Sequence, residues 1–438
     1  MLKNIILFVE DVPKKFFDDL RDYTKKTNET FRVGVIRDEK IPLSKNDIEF
    51  FAKNSIIDIP CNVTDSESIQ KALLLYQEEL LAITCRGEVH VDLFAKIVPN
   101  VPYLRTPTSE SLLWSCDKIK MRKRFRVHNK SISPNFLVVK DDSPEMIQKI
   151  KEKIGFPLII KPSNLAVSLL VSICFHEEEL EASIKKVFKK IRRVGEENGR
   201  AEVPRVLVEQ FMEGEMYSVD AYVNSKGVVY FCPFVHIKTG RAIGFDDFFG
   251  YQQITPTLLK KTSIEAAEAV AEDAVHALGL RSSTAHIELM RTEDGWKVIE
   301  VGPRIGGFRR DLYQMSYGIN HAMNDVLIRM PRTPIIPKKV KGYSAAMKFF
   351  PKQEGILTNL TGILKIQELK SFKKVTINKK IGAKCLFAKN GGASICNIIL
   401  FNPLRSELLA DIRRIESTLI IKTEKPGNGS QEIMKKSS

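Results

Sequence analysis

The sequence has no apolar run long enough to cross a membrane or to serve as a secretory signal peptide. The apolar stretch near its beginning covers only residues 5–9. Its seven cysteines are odd in number and include no C-x-x-C pair, which argues against a disulfide framework and against a zinc ribbon. We therefore expect a protein of a reducing compartment, the cytoplasm, with no membrane partner.

Two catalytic signatures are also missing. No G-x-G-x-x-G follows the first predicted strand, which disfavours a dinucleotide-binding fold. No recognisable triad of nucleophile, base and acid is present, and there is no internal repeat or low-complexity block. The sequence therefore does not indicate a covalent enzyme intermediate.

The chain of 438 residues carries a formal net charge of +15. Lysine and arginine are spread along it, with a local excess at residues 118–130 and 370–384. A nucleic-acid surface would instead need clustered basic residues with aromatic residues between them. We assign the charge to a solvated surface that also attracts anionic nucleotides and acidic substrates. Nucleic-acid binding stays an alternative, which a steep salt dependence of binding would support.

The first 110 residues alternate short apolar runs with helical stretches, a rhythm typical of βαβ units and a parallel sheet. The predicted strands are residues 5–9, 31–36, 56–59 and 81–84, and the predicted helices are residues 13–23 and 66–80. Residues 1–110 are therefore predicted to form an α/β domain with a parallel sheet.

Helices and short strands follow up to residue 161, and residues 162–330 favour an α+β arrangement that is rich in antiparallel strands. A basic helix is predicted at residues 109–128, and a second helix opens at Ser143-Pro144, because serine caps a helix and proline suits its first turn. The other predicted elements are strands at residues 136–139, 158–161, 168–175, 206–210, 217–223, 228–235, 284–289 and 296–301, and a helix at residues 263–278.

The remainder of the chain divides into three parts. Residues 331–341 are rich in proline and lysine and predict a linker. Residues 342–422 are predicted to be a small α+β unit of short strands and one helix. The polar tail, residues 423–438, is expected to be disordered.

Residues 298–310, VIEVGPRIGGFRR, combine an acid, an arginine and two adjacent glycines behind an apolar strand. Glu300 stands among apolar residues, where a carboxylate needs a positive partner. Arg304 offers a planar fork for phosphate or carboxylate. Gly306 and Gly307 allow a tight turn whose N–H groups can face an anion. The stretch therefore predicts a corner that binds a metal and a phosphate.

A second acid joins Glu300 through a predicted hairpin. Asp294-Gly295 between two apolar strands is a strong hairpin signal, and folding there pairs Glu288 roughly with Glu300. Two adjacent carboxylates repel each other unless one is protonated or a cation lies between them. Mg²⁺ prefers oxygen ligands and fits this pair, whereas an exposed pair of acids is the structural alternative. His286 shares a strand face with Glu288 and is a candidate to support the site.

Two lysines upstream stand at the ends of predicted elements. Lys118 follows Asp117 at the head of a basic helix, and Lys161 ends an apolar strand beside a proline. A lysine at such a position binds phosphate as a point charge. An ordinary solvated position is the alternative for both.

The strand at residues 206–210 ends in an acid and an amide and is followed by an apolar pair. Glu209 and Gln210 precede Phe211 and Met212, after which the backbone is free to hydrogen-bond the edge of a ligand. An ordinary turn between two strands is the alternative. Glu215 lies in the glycine turn that leads into the next strand.

The loops that follow are less informative. Residues 236–257 are predicted to be surface loops, and His236, Lys238 and Arg241 are assigned to that surface, with a position facing the substrate as the alternative.

In this order and spacing, these elements resemble the ATP-grasp superfamily over about residues 1–330. They are most similar to its carboxylate–amine ligase branch, which includes the bacterial L-amino acid ligases and, more distantly, biotin carboxylase. The resemblance implies an N-terminal parallel-sheet pre-ATP-grasp domain (1–110), an ATP-grasp domain of two α+β subdomains (111–330) and a small C-terminal α+β unit (342–422).

The resemblance also implies roles for individual residues and the cofactors ATP and Mg²⁺, with Mn²⁺ as an alternative ion. Lys118 and Lys161 would bind the nucleotide phosphates, Glu215 would meet the ribose, and the adenine edge would be held by Glu209, Gln210, Phe211 and Met212. Glu288 and Glu300 would bind the metal, and Arg304 would contact the transferring phosphate. Gly306 and Gly307 would stabilise an oxyanion, and Phe308 and His286 would lie near the substrate.

The implied activity is an ATP-dependent ligase that joins a small carboxylate, such as an amino acid, to an amine through an acylphosphate. A carboxylase or a nucleotide-pathway ligase on the same fold is an alternative. A nucleotide-binding regulator with reduced catalysis is another, because Gly302 replaces the family's asparagine ligand and the predicted lid, residues 163–168, has no glycine. Relatives are often homodimers, and the sequence names neither the acid nor the amine.

Overall fold

The structure, a computed structural model, describes residues 3–165, 169–197, 203 and 205–425. Its helices are α1 Phe16–Thr27, α2 Lys45–Asn54, α3 Ser66–Leu74, α4 Val91–Ile97, α5 Ser109–Cys116, α6 Lys118–His128, α7 Pro144–Lys153, α8 Glu177–Glu197, α9 Lys261–Ala277, α10 Arg309–Tyr317, α11 His321–Leu327, α12 Ile363–Gln367 and α13 Arg405–Thr418. None of the helices in these residues is long and apolar enough to cross a membrane.

The strands belong to four sheets. They are β1 Ile5–Val9, β2 Arg32–Asp38, β3 Ile57–Cys61, β4 Leu80–Thr84, β5 Phe136–Val139, β6 Leu158–Pro162, β7 Ser172–Cys174, β8 Val206–Gln210, β9 Glu215–Val223, β10 Val229–Phe231, β11 Val235–Thr239, β12 Gly250–Thr255, β13 Ser283–Thr292, β14 Gly295–Gly302, β15 Tyr343–Phe349, β16 Gly355–Thr361, β17 Phe372–Ile377, β18 Lys384–Cys385, β19 Cys396–Asn402 and β20 Ile420–Glu424.

The N-terminal sheet is parallel, as predicted, with the order β3-β2-β1-β4. Every residue of β1 is buried, which is typical of a parallel strand covered on both faces. Helix α2 was not predicted; none of its residues is fully buried, although Phe50 and Phe51 pack against the core beside the sheet.

The basic helix predicted at residues 109–128 is wrong as one element, because it is two helices, α5 and α6. Asp117 between them has an extended backbone (φ −116°, ψ 110°), and its carboxylate accepts the N–H groups of Ile119 and Lys120. This aspartate cap ends one helix and begins the next. It places Lys118 in the first turn of α6, where its N–H donates to the Ser163 carbonyl over 2.7 Å.

A small antiparallel sheet, β5-β8-β6-β7, packs against α7 and α8. Ser143 caps α7 as predicted, since its side chain accepts the Met146 N–H. Helix α8 was not predicted although Leu180, Ile184 and Ile191 recur at helical spacing on its buried face. Residue 168, where the strand predicted at 168–175 began, lies outside the described residues, and β7 covers only Ser172–Cys174.

The central sheet has nine strands, with the main order β14-β13-β9-β11-β12-β15-β19-β17 and β10 paired to β9. The strand predicted at residues 228–235 is wrong, because β10 and β11 occupy this region as two strands. The surface loops predicted at residues 236–257 are also wrong. This segment contains most of β11, a turn of 3₁₀ helix and β12, and β12 lies inside the sheet between β11 and β15.

The C-terminal unit is continuous with the central sheet. Strand β15 pairs with β12, with Ser344 opposite Thr255, so the sheet runs across the boundary that we predicted at residue 342. The unit also contains two helices, α12 and α13, instead of one. Of the predicted tail, residues 423 and 424 belong to β20, and residues 426–438 lie outside the described residues. The division into domains stays a prediction.

Candidate active site

The predicted hairpin of β13 and β14 is confirmed, and Glu288 lies directly opposite Glu300. A register shift between Glu288 and Leu289 follows this pair. Ile287 and Val301 are fully buried in the core beside α9. Because side chains alternate across a strand, Glu288 and Glu300 project to the opposite face of the sheet.

Lys118 provides the cation next to Glu300. Its Nζ lies 3.1 Å from Glu300 Oε1 and donates to the Leu165 carbonyl, also over 3.1 Å. Burial lowers the pKa of Lys118, but the carboxylates of Glu300 and Glu88 more than offset this and the pKa is raised. The aspartate-capped start of α6 therefore brings a firmly charged lysine to the acid pair.

A second cluster of charges is buried below the hinge between β8 and β9. The Glu209 carboxylate lies 2.6 Å from Lys161 Nζ and 2.6 Å from Arg122 Nε, and Arg122 also donates to the Ile299 carbonyl. Burial lowers the pKa of Lys161 to about 8, although Glu209 raises it. The Glu209 carboxylate is thus paired with two cations and is not free to bind a ligand. The backbone that follows it, at residues 210–212, is the part that can face a ligand.

A cavity of ≈ 630 Å³ connects these groups. This volume is within the range of about 300–1,000 Å³ that is typical of small-molecule sites. Its lining contains nine of the residues predicted to bind nucleotide or metal: Lys118, Lys161, Glu209, Gln210, Phe211, Met212, Glu215, Glu288 and Glu300. The structure therefore brings together segments that are distant in the sequence.

The opposite wall of the cavity comes from β11 and the turn after it. His236, Lys238 and Arg241 line the cavity, so their predicted place on a surface loop is wrong. The physical reason is that His236 and Lys238 lie on β11, an internal strand of the central sheet, and one face of that sheet borders the cavity. Glu215 at the rim accepts the Tyr217 hydroxyl over 3.2 Å and lies 3.5 Å from Arg291.

Arg304 is bound by an acid that the sequence analysis did not identify. Glu88, in a short 3₁₀ helix after β4, accepts Arg304 Nε over 3.0 Å and also contacts its Nη2. Burial raises the pKa of Glu88, but Arg304 more than offsets it and the pKa is lowered. The N-terminal domain thereby reaches the predicted phosphate corner.

Asp220 on β9 is a fully buried carboxylate that organises the other side of the acid pair. His286 Nδ1 lies 2.6 Å from its Oδ1, His321 Nε2 lies 2.7 Å from its Oδ2, and the Gly306 N–H donates to Oδ2 over 2.8 Å. Burial raises the pKa of Asp220, but the two histidines lower it well below its usual range. His286 therefore supports Glu288, whose Oε1 is 3.4 Å from its Nε2.

This arrangement changes the role predicted for one glycine. The Gly306 N–H was expected to face an oxyanion, and it instead donates to Asp220. A Cβ at Gly306 would lie 2.3 Å from His286 Nδ1, so the close approach of the turn to His286 needs glycine. For Gly307 and Phe308, the assigned contacts with a ligand stay predictions.

Two more cations lie near the acid pair and were also missed. Arg309, almost fully buried, donates to Gln253 Oε1 over 2.7 Å and contacts the Ser218 hydroxyl. Lys348 on β15 lies with its Nζ 5.3 Å from the centroid of the Phe308 ring. Burial raises the pKa of Glu288, but His286 and then the arginines lower it, so the carboxylate is ionised.

The described residues contain no group of three or more histidine, cysteine, aspartate or glutamate side chains arranged to hold a metal ion. The oxygen donors at the acid pair are Glu288 and Glu300. Gly302, at the position where the family pattern has an asparagine ligand, has no side chain to contribute. Since Mg²⁺ binds through one or two carboxylates together with phosphate oxygens and waters, this donor set fits it.

Comparison with known proteins gives a consistent picture. A profile of the ATP-grasp domain family matches residues 154–310. The chain is 28% identical over 240 residues to the alanine–anticapsin ligase of Bacillus amyloliquefaciens, and the match covers 52% of this chain and 49% of that protein. The chain thus spans about half the length of this curated relative.

Solved structures resemble the chain over nearly its full length. The L-amino acid ligase from Bacillus licheniformis superposes with a TM-score of 0.71 at 18% identity and covers 97% of this chain and 100% of its own. The N5-carboxyaminoimidazole ribonucleotide synthetase from Thermotoga maritima has a TM-score of 0.66 at 17% identity, with 96% and 100% covered. At these identities the likeness shows the fold, and the predicted fold class is confirmed.

Proposed function

We propose that the protein is an ATP-dependent carboxylate–amine ligase, on the basis of the match of residues 154–310 to the ATP-grasp domain family. It would activate a small carboxylate with ATP, transfer the acyl group to an amine, and release ADP and phosphate. We further propose that it works in the cytoplasm on small-molecule substrates, without nucleic acid or membrane, and that it forms a homodimer.

One observation carries the proposal: the two acids of the hairpin face the same cavity as two lysines from separate segments. Glu288 and Glu300 are in register, and Lys118 and Lys161 line the cavity with them. Phosphoryl transfer is accelerated mainly by positioning and by neutralising charge, which is what such a set of groups supplies.

We assign the metal to Glu288 and Glu300, with Mg²⁺ preferred and Mn²⁺ as the alternative. When bound, the ion would neutralise nucleotide phosphate charge. Lys118 is the present counter-ion of Glu300, and its side chain is free to turn to a phosphate once a metal takes its place. Gly302 leaves a coordination position that a water can fill, since Mg²⁺ retains waters readily.

The proposed reaction has two steps. An oxygen of the substrate carboxylate attacks the γ-phosphorus of ATP, the bond from that phosphorus to the β–γ bridging oxygen breaks, and ADP leaves. The amine then attacks the acyl carbon, phosphate leaves with the acyl C–O electron pair, and the amine nitrogen gives up a proton. Lys161 would hold the nucleotide phosphates while Arg122 keeps the buried Glu209 neutralised, and Arg304 would neutralise the transferring phosphate.

The names of relatives support an amino acid as the carboxylate. Matches include alanine–anticapsin ligase, D-alanine–D-alanine ligase and, by fold, an L-amino acid ligase. We therefore propose an amino acid or a similarly small acid as the substrate to be activated.

A screen of ADP and phosphate release over paired amino acids, with ATP and Mg²⁺, tests the proposal. We expect release that needs the acid and the amine together and is accompanied by a condensed product detected by mass. Bicarbonate, formate and phosphoribosyl amines extend the panel to the carboxylase and nucleotide-pathway alternatives. Release with those compounds alone, or none with any pair, would overturn the amino-acid ligase.

A nucleotide-binding regulator is the second candidate, and Gly302 is the observation that favours it. Titration calorimetry with ADP and Mg²⁺ distinguishes the two: nucleotide binding without turnover across the whole panel would support the regulator. Binding with turnover would exclude it.

A further inference from the structure

Lys348 is a cation that the roles assigned above do not use. It lies near the end of β15, in the part of the central sheet contributed by the C-terminal unit. Its side chain is partly buried, and its Nζ lies 5.3 Å from the centroid of the Phe308 ring. Phe308 follows the glycine turn, so this lysine reaches the substrate side of the acid pair.

Lys348 has no counter-ion, in contrast to the three cations to which a phosphate is assigned. Lys118 is paired with Glu300, Lys161 with Glu209, and Arg304 with Glu88. Within the part of the chain that the structure describes, no carboxylate lies within ion-pairing distance of Lys348. A partly buried cation without a counter-ion is costly, so the site is more stable when a ligand brings an anion to it.

The electrostatic surroundings agree with this geometry. Burial lowers the pKa of Lys348, Glu288 raises it, and Arg309 and Arg304 lower it further. A carboxylate bound beside the ammonium group would raise the pKa again and so favour the charged form.

The nucleotide is not the natural source of this anion. Lys118 and Lys161 line the 630 Å³ cavity, whereas Lys348 and Phe308 are not among its described lining residues. The carboxylate to be activated must lie where phosphate is transferred, beside Glu288, Glu300 and Lys118. Lys348 approaches this place through Phe308, outside the described lining of the nucleotide cavity, and we assign its anion to the other substrate on this basis.

We propose that Lys348 binds the carboxylate of the amine-bearing substrate, so that the acceptor is an amino acid rather than a simple amine. This inference rests on the proposed ligase function and names its second substrate. Holding that carboxylate at a fixed cation would orient the amine toward the acyl carbon and reduce the entropy lost in the second step.

The test compares an amino acid with its carboxamide as the acceptor, because the amide keeps the amine and removes the negative charge. We expect the wild-type protein to have a lower KM for the amino acid by about 10- to 100-fold. Lys348→Met should remove this preference by raising the KM for the amino acid alone, with the KM for ATP unchanged. Lys348→Arg should restore part of it.

Lys352→Met is the matched control, since Lys352 is exposed just after the same strand and should leave both KM values unchanged. Equal use of acid and amide by the wild-type protein would overturn the role of Lys348. A higher KM for ATP in Lys348→Met would likewise overturn it, by assigning the lysine to phosphate.

Calorimetric titration of the same two acceptors into protein with ADP and Mg²⁺ separates this inference from the ligase function. If no substrate pair releases ADP, the proposed function fails. Selective binding of the amino acid that depends on Lys348 would still support a carboxylate site. Weak, equal binding of acid and amide would overturn it.

Discussion

The acid pair of the hairpin and the Asp220 cluster behind it are both built from carboxylates and cations, and they differ in how far they are enclosed. The side chains of Glu288 and Glu300 are each 30% exposed, whereas that of Asp220 is 0% exposed. Glu300 is neutralised by a single lysine, whereas Asp220 is bound by two histidines and a backbone N–H.

The difference separates two functions within one site. An exposed acid with one counter-ion can exchange that partner for a metal and a phosphate at small cost. A buried acid with all its partners in place cannot exchange them without leaving an unpaired charge, so it fixes the geometry around it. We therefore expect the hairpin acids to control activity and Asp220 to control stability.

Glu300→Ala should have the largest effect. Without this carboxylate the proposed metal and the transferring phosphate lose a ligand and a positioning charge, so kcat/KM for ADP release should fall by about 10³-fold. The free energy of unfolding should change by about 1 kcal/mol or less, because only a partly exposed ion pair is lost. Coupled-enzyme kinetics and urea denaturation measure the two quantities.

Glu293→Ala provides the control, since Glu293 is exposed in the turn of the same hairpin. It should leave both quantities at the wild-type level. Retained turnover in Glu300→Ala would remove Glu300 from the metal site.

Asp220→Asn should show the opposite pattern, with a loss of about 3 kcal/mol in the free energy of unfolding. The neutral amide cannot balance the charge of His286 or accept all three hydrogen bonds in the same geometry. Asp142→Asn, at an exposed aspartate, should be neutral. A stable Asp220→Asn protein with wild-type unfolding would contradict the division between the two regions.

The same variant predicts a dependence on pH. Burial raises the pKa of Asp220 but the histidines lower it further, so its stabilisation is present above the unfolded value of about 4. Burial lowers the pKa of His286 but Asp220 raises it, so its stabilisation is present below about 6.5 and is lost as the pH rises through the raised value. The stability difference between wild type and Asp220→Asn should be largest between these limits.

What the sequence could predict at this site is mostly local. The opposition of Glu288 and Glu300 follows from Asp294-Gly295, because a tight turn sets the register of the strands beside it. The lysine that ends β6 and the acid that ends β8 are visible as charges after apolar runs, and the order of these motifs supports the family. These predictions need no knowledge of the strand order.

The features of the site that the sequence did not predict depend on contacts between segments that are distant in the chain. Glu88 and Arg304 are 216 positions apart, and Asp220 meets His321 across 101 positions. Lys348 reaches the site only because β15 joins the central sheet beside β12, and no local pattern specifies that neighbour. Helix α8 is different, since its apolar spacing was present in the sequence and was overlooked.

Lys161→Met should have an intermediate effect. It tests whether Lys161, which is paired with the buried Glu209, can also bind a nucleotide phosphate. The affinity for ADP should fall by about tenfold, because a phosphate loses a point charge while Arg122 still neutralises Glu209. Calorimetry measures the dissociation constant, and Lys140→Met, at an exposed lysine directly after β5 of the small sheet, is the control. An unchanged affinity would exclude Lys161 from the nucleotide site.

Gly302→Asn should have the smallest effect, and its contrast with Gly306→Ala extends the comparison to the backbone. A Cβ at Gly302 would meet the Arg304 side chain at an ordinary 3.7 Å, whereas at Gly306 it would lie 2.3 Å from His286 Nδ1. Gly302→Asn should therefore change the free energy of unfolding by less than about 0.5 kcal/mol. It should also lower the Mg²⁺ concentration needed for half-maximal ADP release, because an amide oxygen can replace a water.

Gly306→Ala should destabilise the protein measurably, because the added methyl group would clash with His286 in the Asp220 cluster. An unchanged free energy of unfolding in Gly306→Ala would mean that the Asp220 cluster can rearrange, and it would contradict the fixed geometry that we assign to it.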